Sequence, residues 1–111
     1  ALTRMGTAAA GSADALLKAL KSDKDKSVRS FAAHALTVCL GADAGRVVPE
    51  LAEQLGKESV GEVKLVIIQE LAALGPDAEA AVPALTAAQR DVQKTVRDAA
   101  AAALKKIRAK P

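Results

Sequence analysis

The chain has 111 residues, the size of one compact domain, and half of them are apolar while 26% are charged, which excludes disorder, collagen-like repetition and a disulfide scaffold. Twenty-seven alanines stand against one Phe, no Tyr and no Trp, a bias toward the best helix former and away from strand-forming aromatics, so an all-α chain is expected. The net charge of +3, from 16 basic and 13 acidic residues, is too small and too mixed to select nucleic acid or an anionic membrane.

The first residues, Ala1-Leu2-Thr3-Arg4-Met5-Gly6, read as the tail of a helix near 1–5 whose start lies upstream. Residues 1–111 are therefore expected to form a single repeat domain that is a fragment of a longer protein. A helix is predicted over 13–21. The next, over 28–40, places Val28, Ala32, Ala35, Leu36 and Cys39 on one stripe at about 100° per residue, with Ser30, Ala33, His34 and Thr37 outside it. Ser27 is placed to cap its start, and Gly41 to end it in the left-handed conformation open to glycine. After a short turn, Val48, Leu51, Ala52 and Leu55 stripe a helix over 47–56, with Pro49 in its first turn, where a missing N–H is harmless. Over 62–74 the stripe is Val63, Ile67, Leu71 and Leu74; Glu70 falls near its centre and Gly75 ends the helix. Leu65 and Ile68, with Ala72 on their flank, are expected to face outward. Helices over 80–90 and 95–108 complete the set. No apolar run reaches the roughly 18–20 residues of a membrane span, since the longest, Leu65 to Leu74, is cut by Gln69 and Glu70.

These elements repeat. Gly6, Gly41 and Gly75 are 35 and 34 residues apart, and a leucine stands ten positions after each: Leu16, Leu51 and Leu85. Val28-Arg29 returns as Val63-Lys64 and Val96-Arg97, Leu36 as Leu71 and Leu104, and Val48-Pro49 as Val82-Pro83. Such a period signals a solenoid, whose units bury their apolar faces by stacking on one another. In each unit the helix carrying Val-Arg/Lys is the A helix, and the Val-Pro helix after it is the B helix.

The tetratricopeptide and ankyrin signatures are missing: there is no Trp or Tyr, and no Thr-Pro-Leu-His. The pattern Val-Arg-x-x-Ala-x-x-Ala-Leu is present as Val28-Arg29, Ala32, Ala35-Leu36 and as Val96-Arg97, Ala100, Ala103-Leu104. A glycine and Val-Pro-x-Leu come after it, and the whole resembles a HEAT repeat in its short form, the kind named after phycobilisome lyases. The middle copy departs, with Ile67 and Glu70 where its neighbours have alanine, and is expected to pack less closely. The resemblance implies an α-solenoid of about three helical hairpins whose B helices line a concave, partner-binding face.

The residues offer little chemistry. His34, the sole histidine, has no second imidazole to build a metal site or relay, and reads as a surface side chain. Cys39 cannot form an intramolecular disulfide, reads as a small hydrophobe, and lies on a different side of the helix from His34. The glycines are single helix stops, so no phosphate cradle is visible, and Glu50 with Glu53 is ordinary helix surface. No catalytic, cofactor or metal residue is expected, and the chain reads as non-catalytic. Lys21, Lys24, Lys26, Lys57, Arg90 and Lys94 gather on the loop edge, but Asp23, Asp25, Glu58, Glu62 and Asp91 share it. The sole aromatic, Phe31, lies beside the core stripe and is expected to pack there. Nucleic acid, which needs uncancelled positive charge or aromatic platforms, is disfavoured. The basic tail Lys105, Lys106, Arg108, Lys110 complements a helix dipole without a ligand.

Glu70, on an apolar stripe, needs a cation, and the ladder Arg29, Lys64, Arg97 is expected to supply it. The groove on the B helices is expected to consist of Lys18, Glu50, Glu53, Gln54, Ala84, Ala87 and Ala88. This suits a helix or extended peptide of another protein rather than a small-molecule substrate or a membrane. Leu65 and Ile68, or the ends of the solenoid, are expected to serve self-association. The function expected is a protein-interaction scaffold. The alternative is an accessory repeat region of a lyase-like or regulatory enzyme whose chemistry lies elsewhere. Nothing in these residues fixes a compartment, and cytoplasmic is only the default.

Overall fold

The computed structural model describes residues 13–108. Helix α1 runs through 13–22, α2 spans Lys26–Leu40, α3 Val48–Lys57, α4 Gly61–Leu74, α5 Val82–Ala88 and α6 Lys94–Arg108. The described residues contain no strand. The helix tail expected near 1–5 lies outside them.

Local chemistry sets the boundaries. Asp25, not Ser27, caps α2: its carboxylate accepts the Ser27 backbone N–H, so the helix begins one residue before Ser27. Gly41 and Gly75 stop α2 and α4 with φ of 53° and 60°, a sign that side-chain-bearing residues avoid. Their ψ of −118° and −137° lies far from the left-handed helical value, so the chain swings away instead of closing a left-handed cap. The connection beyond each glycine is longer than the short turn expected. Gly41–Val47 and Gly75–Ala81 each coil into a 3₁₀ segment that buries Ala44 in the first, and Ala78 and Ala81 in the second. Pro49 and Pro83 then sit in the first turns of α3 and α5, where no donor is lost.

The helices form two layers. In the A layer α4 packs between α2 and α6, and in the B layer α3 packs on α5, with α3 also against α4 and α5 against α6. The repeat register assigns α1 to the B layer. The result is a slab of 44 × 39 × 16 Å. Leu20, Leu36, Leu51, Val63, Ile67, Leu71, Leu85 and Val96 fill the space between layers and are fully buried.

Burial inside the A layer corrects the expected helix phase. Ala33 and Ile68, which occupy equivalent positions in α2 and α4, are both buried, at 0% and 1% exposure. Leu65 is half-buried and packs against the core. The expected outward apolar pair therefore does not exist. An A helix buries one flank on the B layer and another on its neighbour, and α4, flanked on both sides, keeps only Glu62, Gln69 and Ala73 exposed. In α2 the buried arc is correspondingly turned toward α4. Val28 and Phe31, both assigned to packing, are instead exposed, Phe31 by 66%, and Ala35 and Cys39 are half-buried.

Candidate protein-interaction surface

Most of the side chains named for the B-helix groove lie at least partly at the surface. Lys18, Glu53 and Ala87 are exposed, and Glu50, Ala84 and Ala88 are half-buried. Ala84, Ala87 and Ala88 line a hollow of about 150 Å³ with Gly56, Glu58, Lys64 and Asp91. Glu53 is held by Lys57 one turn on, at 3.0 Å, and that hydrogen bond and charge, with Lys21 beyond, keep its carboxyl below the usual range. Gln54 does not belong to the groove. It is buried, and its amide nitrogen donates to Glu58 Oε1 at 3.2 Å, because Glu58 turns inward beneath it.

Glu58 anchors a ladder between repeats. Its side chain is 1% exposed and accepts Arg29 Nε and an Arg29 terminal nitrogen at 3.0 and 2.9 Å, with the Val60 backbone N–H at 3.0 Å. Burial pushes this carboxyl up, and the hydrogen bonds from Arg29, Val60 and Gln54, with the Arg29 charge, outweigh it and hold the group below its ordinary value. The same construction recurs one unit on: Lys64 pairs with Asp91, which also accepts the Gln93 N–H, and the Asp91 carboxyl is likewise lowered. Arg29 donates as well to the carbonyls of Asp23 and Lys24 in the loop before its helix, and Arg97 donates to those of Asp91 and Val92. Arg29 and Arg97 thus brace their own loops, while Arg29 and Lys64 reach forward to the next loop's acid.

That ladder leaves none of its cations for Glu70, whose expected partner is wrong. The Glu70 carboxylate lies between α2 and α4 with 15% of its side chain exposed, accepting from the Thr37 hydroxyl and meeting His34 Nδ1 at 2.9 Å. A carboxylate only accepts, so His34 carries its proton on Nδ1 when neutral. His34 is on the surface, as expected, but it is engaged there as a bridge between repeats.

The loop edge is balanced. Lys26 pairs with Glu62, Lys57 with Glu53, and Lys94 with Asp98 just inside α6, so three of its six cations are answered by carboxylates. Among the described residues no group of His, Cys, Asp or Glu is arranged to hold a metal ion, and no helix is long and apolar enough to cross a membrane.

Three units joined through equivalent cations and acids, with the A and B helices in separate layers, define the architecture, and a family model of HEAT repeats matches residues 13–105. The chain belongs to the HEAT-repeat family. No curated protein and no solved structure matches it. The HEAT match covers all six helices except the last residues of α6. HEAT repeats are commonly protein-interaction scaffolds.

One surface feature is not anticipated from the sequence. Phe31, Ala35, Val38 and Cys39 of α2, with Ala15 and Leu16 of α1 and His34 at the rim, line an open groove of about 540 Å³. The signal is in the 3-4-3 spacing of Val28, Phe31, Ala35 and Val38, which shares Val28 and Ala35 with the stripe assigned to the core.

Proposed function

We propose that this HEAT-repeat chain is a non-catalytic scaffold that binds a helix or extended peptide of another protein along its B layer. The observation carrying this reading is the row of exposed and half-buried side chains running across successive B helices. Lys18 lies on α1, Glu50 and Glu53 on α3, and Ala84 and Ala87 on α5, where the alanines leave a shallow floor. A shallow surface of mixed charge suits a polypeptide, whereas a small molecule wants a deep apolar pocket with convergent polar groups. Charge on such a surface selects the partner and its approach more than it adds affinity.

The experiment is affinity capture with the chain and a Glu50→Lys, Glu53→Lys variant in parallel. Capture of a partner by the parent and its loss by the variant, with helical content unchanged, is the expected result. Equal capture by both would remove the B layer from the interface.

A further inference from the structure

We infer that the face of α6 turned away from α4 docks an acidic segment of another protein, with one carboxylate of that segment held in the fork of Arg97. The ladder supplies the pattern. Arg29 gives one terminal nitrogen to the carbonyls of Asp23 and Lys24, and closes its Nε and its other terminal nitrogen on the two oxygens of Glu58 at 3.0 and 2.9 Å. Arg97 gives the same nitrogen to the carbonyls of Asp91 and Val92, at 2.8 and 3.0 Å, so its guanidinium is fixed by the equivalent pair of bonds. Among the described residues no acceptor meets its Nε or its second terminal nitrogen. Such a fixed, half-buried guanidinium edge is a two-point seat for a carboxylate.

Charge supplies the rest of the partner's chemistry. Residues 89–108 carry six Lys and Arg against two Asp, whereas residues 13–88 carry eight against eleven Asp and Glu. Both acids of the cationic stretch are engaged, Asp91 by Lys64 and Asp98 by Lys94. At 100° per residue, Arg97, Ala101, Lys105 and Arg108 lie within about 80° of one another on α6, and Arg97 and Lys105 stand about 12 Å apart along its axis. Ala101, Lys105 and Arg108 border, with Thr86 and Gln89, a hollow of about 400 Å³. Complementary charge steers an acidic segment to this face, and the fork fixes its position.

A further helical hairpin of the stack is the competing occupant, and the residues present oppose it. In the preceding unit Leu55 shares a hollow with the alanines of α5, and Ile68 and Ala72 share one with those of α6. The repeat register turns these three into Gln89, Ala101 and Lys105. Gln89 and Lys105 are exposed, whereas Leu55 and Ile68 are 4% and 1% exposed. An apolar helix laid on this face would strip Lys105 and Arg108 of water without giving them partners, which an acidic segment provides. Nucleic acid fits less well, because the sole aromatic, Phe31, lies on α2 and no base can stack here.

Fluorescence anisotropy with labelled peptides tests the inference. At about 50 mM salt, where exposed charges are weakly screened, decaglutamate is expected to bind and decaserine is not. Arg97→Lys keeps the charge but loses the fork, and should weaken decaglutamate binding on the order of 10-fold. Lys105→Gln with Arg108→Gln should weaken it by a similar factor. Both of these side chains are exposed, so the double variant should keep the parent's melting temperature, and it carries the test if Arg97→Lys, which also frees its loop, loses helical content. Lys24→Gln removes a charge from the loop before α2 and should change nothing. The inference is overturned if decaglutamate does not bind at about 500 μM chain, or if a folded Arg97→Lys binds like the parent. It is equally overturned by a loss in Lys24→Gln equal to that in the double variant, or by tighter binding of a decathymidine oligonucleotide, which would assign the face to nucleic acid. None of these variants touches the B layer, so its role stands or falls separately.

Discussion

Arg29 and Glu58 illustrate how a charged pair can hold two repeats together. With Glu58 1% exposed and Arg29 13%, each depends on the other and on the surrounding loop for what water would have supplied. Removing the cation strands a buried carboxylate, so Arg29→Met should cost about 3 kcal/mol, read from the urea midpoint. An exposed pair such as Lys26 with Glu62 should cost less than about 1 kcal/mol when broken. Acid should act through the same groups. The folded Glu58 and Asp91 carboxyls lie below their ordinary values of 4.5 and 3.8, so the unfolded chain takes up protons first. Their stabilisation is complete above about pH 5 and is lost as pH falls through the ordinary values and then the lowered ones. Glu58→Gln should therefore flatten the loss of stability below about pH 5, and an unchanged pH profile would contradict the assignment. The members of this ladder are legible in the sequence, but their pairing is not. Asp23, Glu58 and Asp91 each precede Arg29, Lys64 and Arg97 by six residues. Read as loop charges they look interchangeable. Only the stacking distance shows that a cation reaches the next unit's acid, which leaves Glu70 to His34 and Thr37.

At the scale of the helix, the repeat register locates every described α-helix but neither 3₁₀ segment, because glycine stops and Val-Pro starts act on the backbone itself. Helix phase was harder to read. A single stripe describes a helix with one covered side, while α4 is covered by α2, α3 and α6. Ala33 gives no warning, since alanine is at home inside or outside, and Ile68 in the equivalent slot takes its expected outward direction from Leu65, on whose flank it lies. The consequence is measurable. Ile68→Gln puts an amide where exposure is 1%, and should cost about 3 kcal/mol from lost apolar burial and an unpaired polar group. Leu65→Ser, at a half-buried position, should cost about half as much. Thermal denaturation of the two single variants separates these outcomes; two small and equal losses would restore the outward phase.

Across the whole molecule, stability is distributed by position along the stack. A solenoid unit contacts its neighbours only, so its stability is its own plus that of its interfaces. Helix α4 has A-layer neighbours on both sides, whereas among the described residues α6 has one, α4, with α5 beneath. Ile67 and Ile107 are buried almost equally, at 0% and 3%, so truncating either removes a similar amount of apolar surface. Area alone would predict equal losses of about 2–5 kcal/mol for Ile67→Ala and Ile107→Ala. The stack predicts otherwise. Ile107 lies in the last turn of α6, which can open without disturbing the units before it, and this opening limits the loss seen in global unfolding. Ile67 joins both halves, and no partial opening relieves its cavity while keeping α2 and α6 connected. Native-state hydrogen exchange should therefore show Ile67→Ala lowering protection in α2, α4 and α6 together, and Ile107→Ala lowering it mainly within Lys94–Arg108. Uniform loss in both variants would mean that the units unfold as one, and that the ladder of cations and acids couples them more tightly than nearest-neighbour stacking requires.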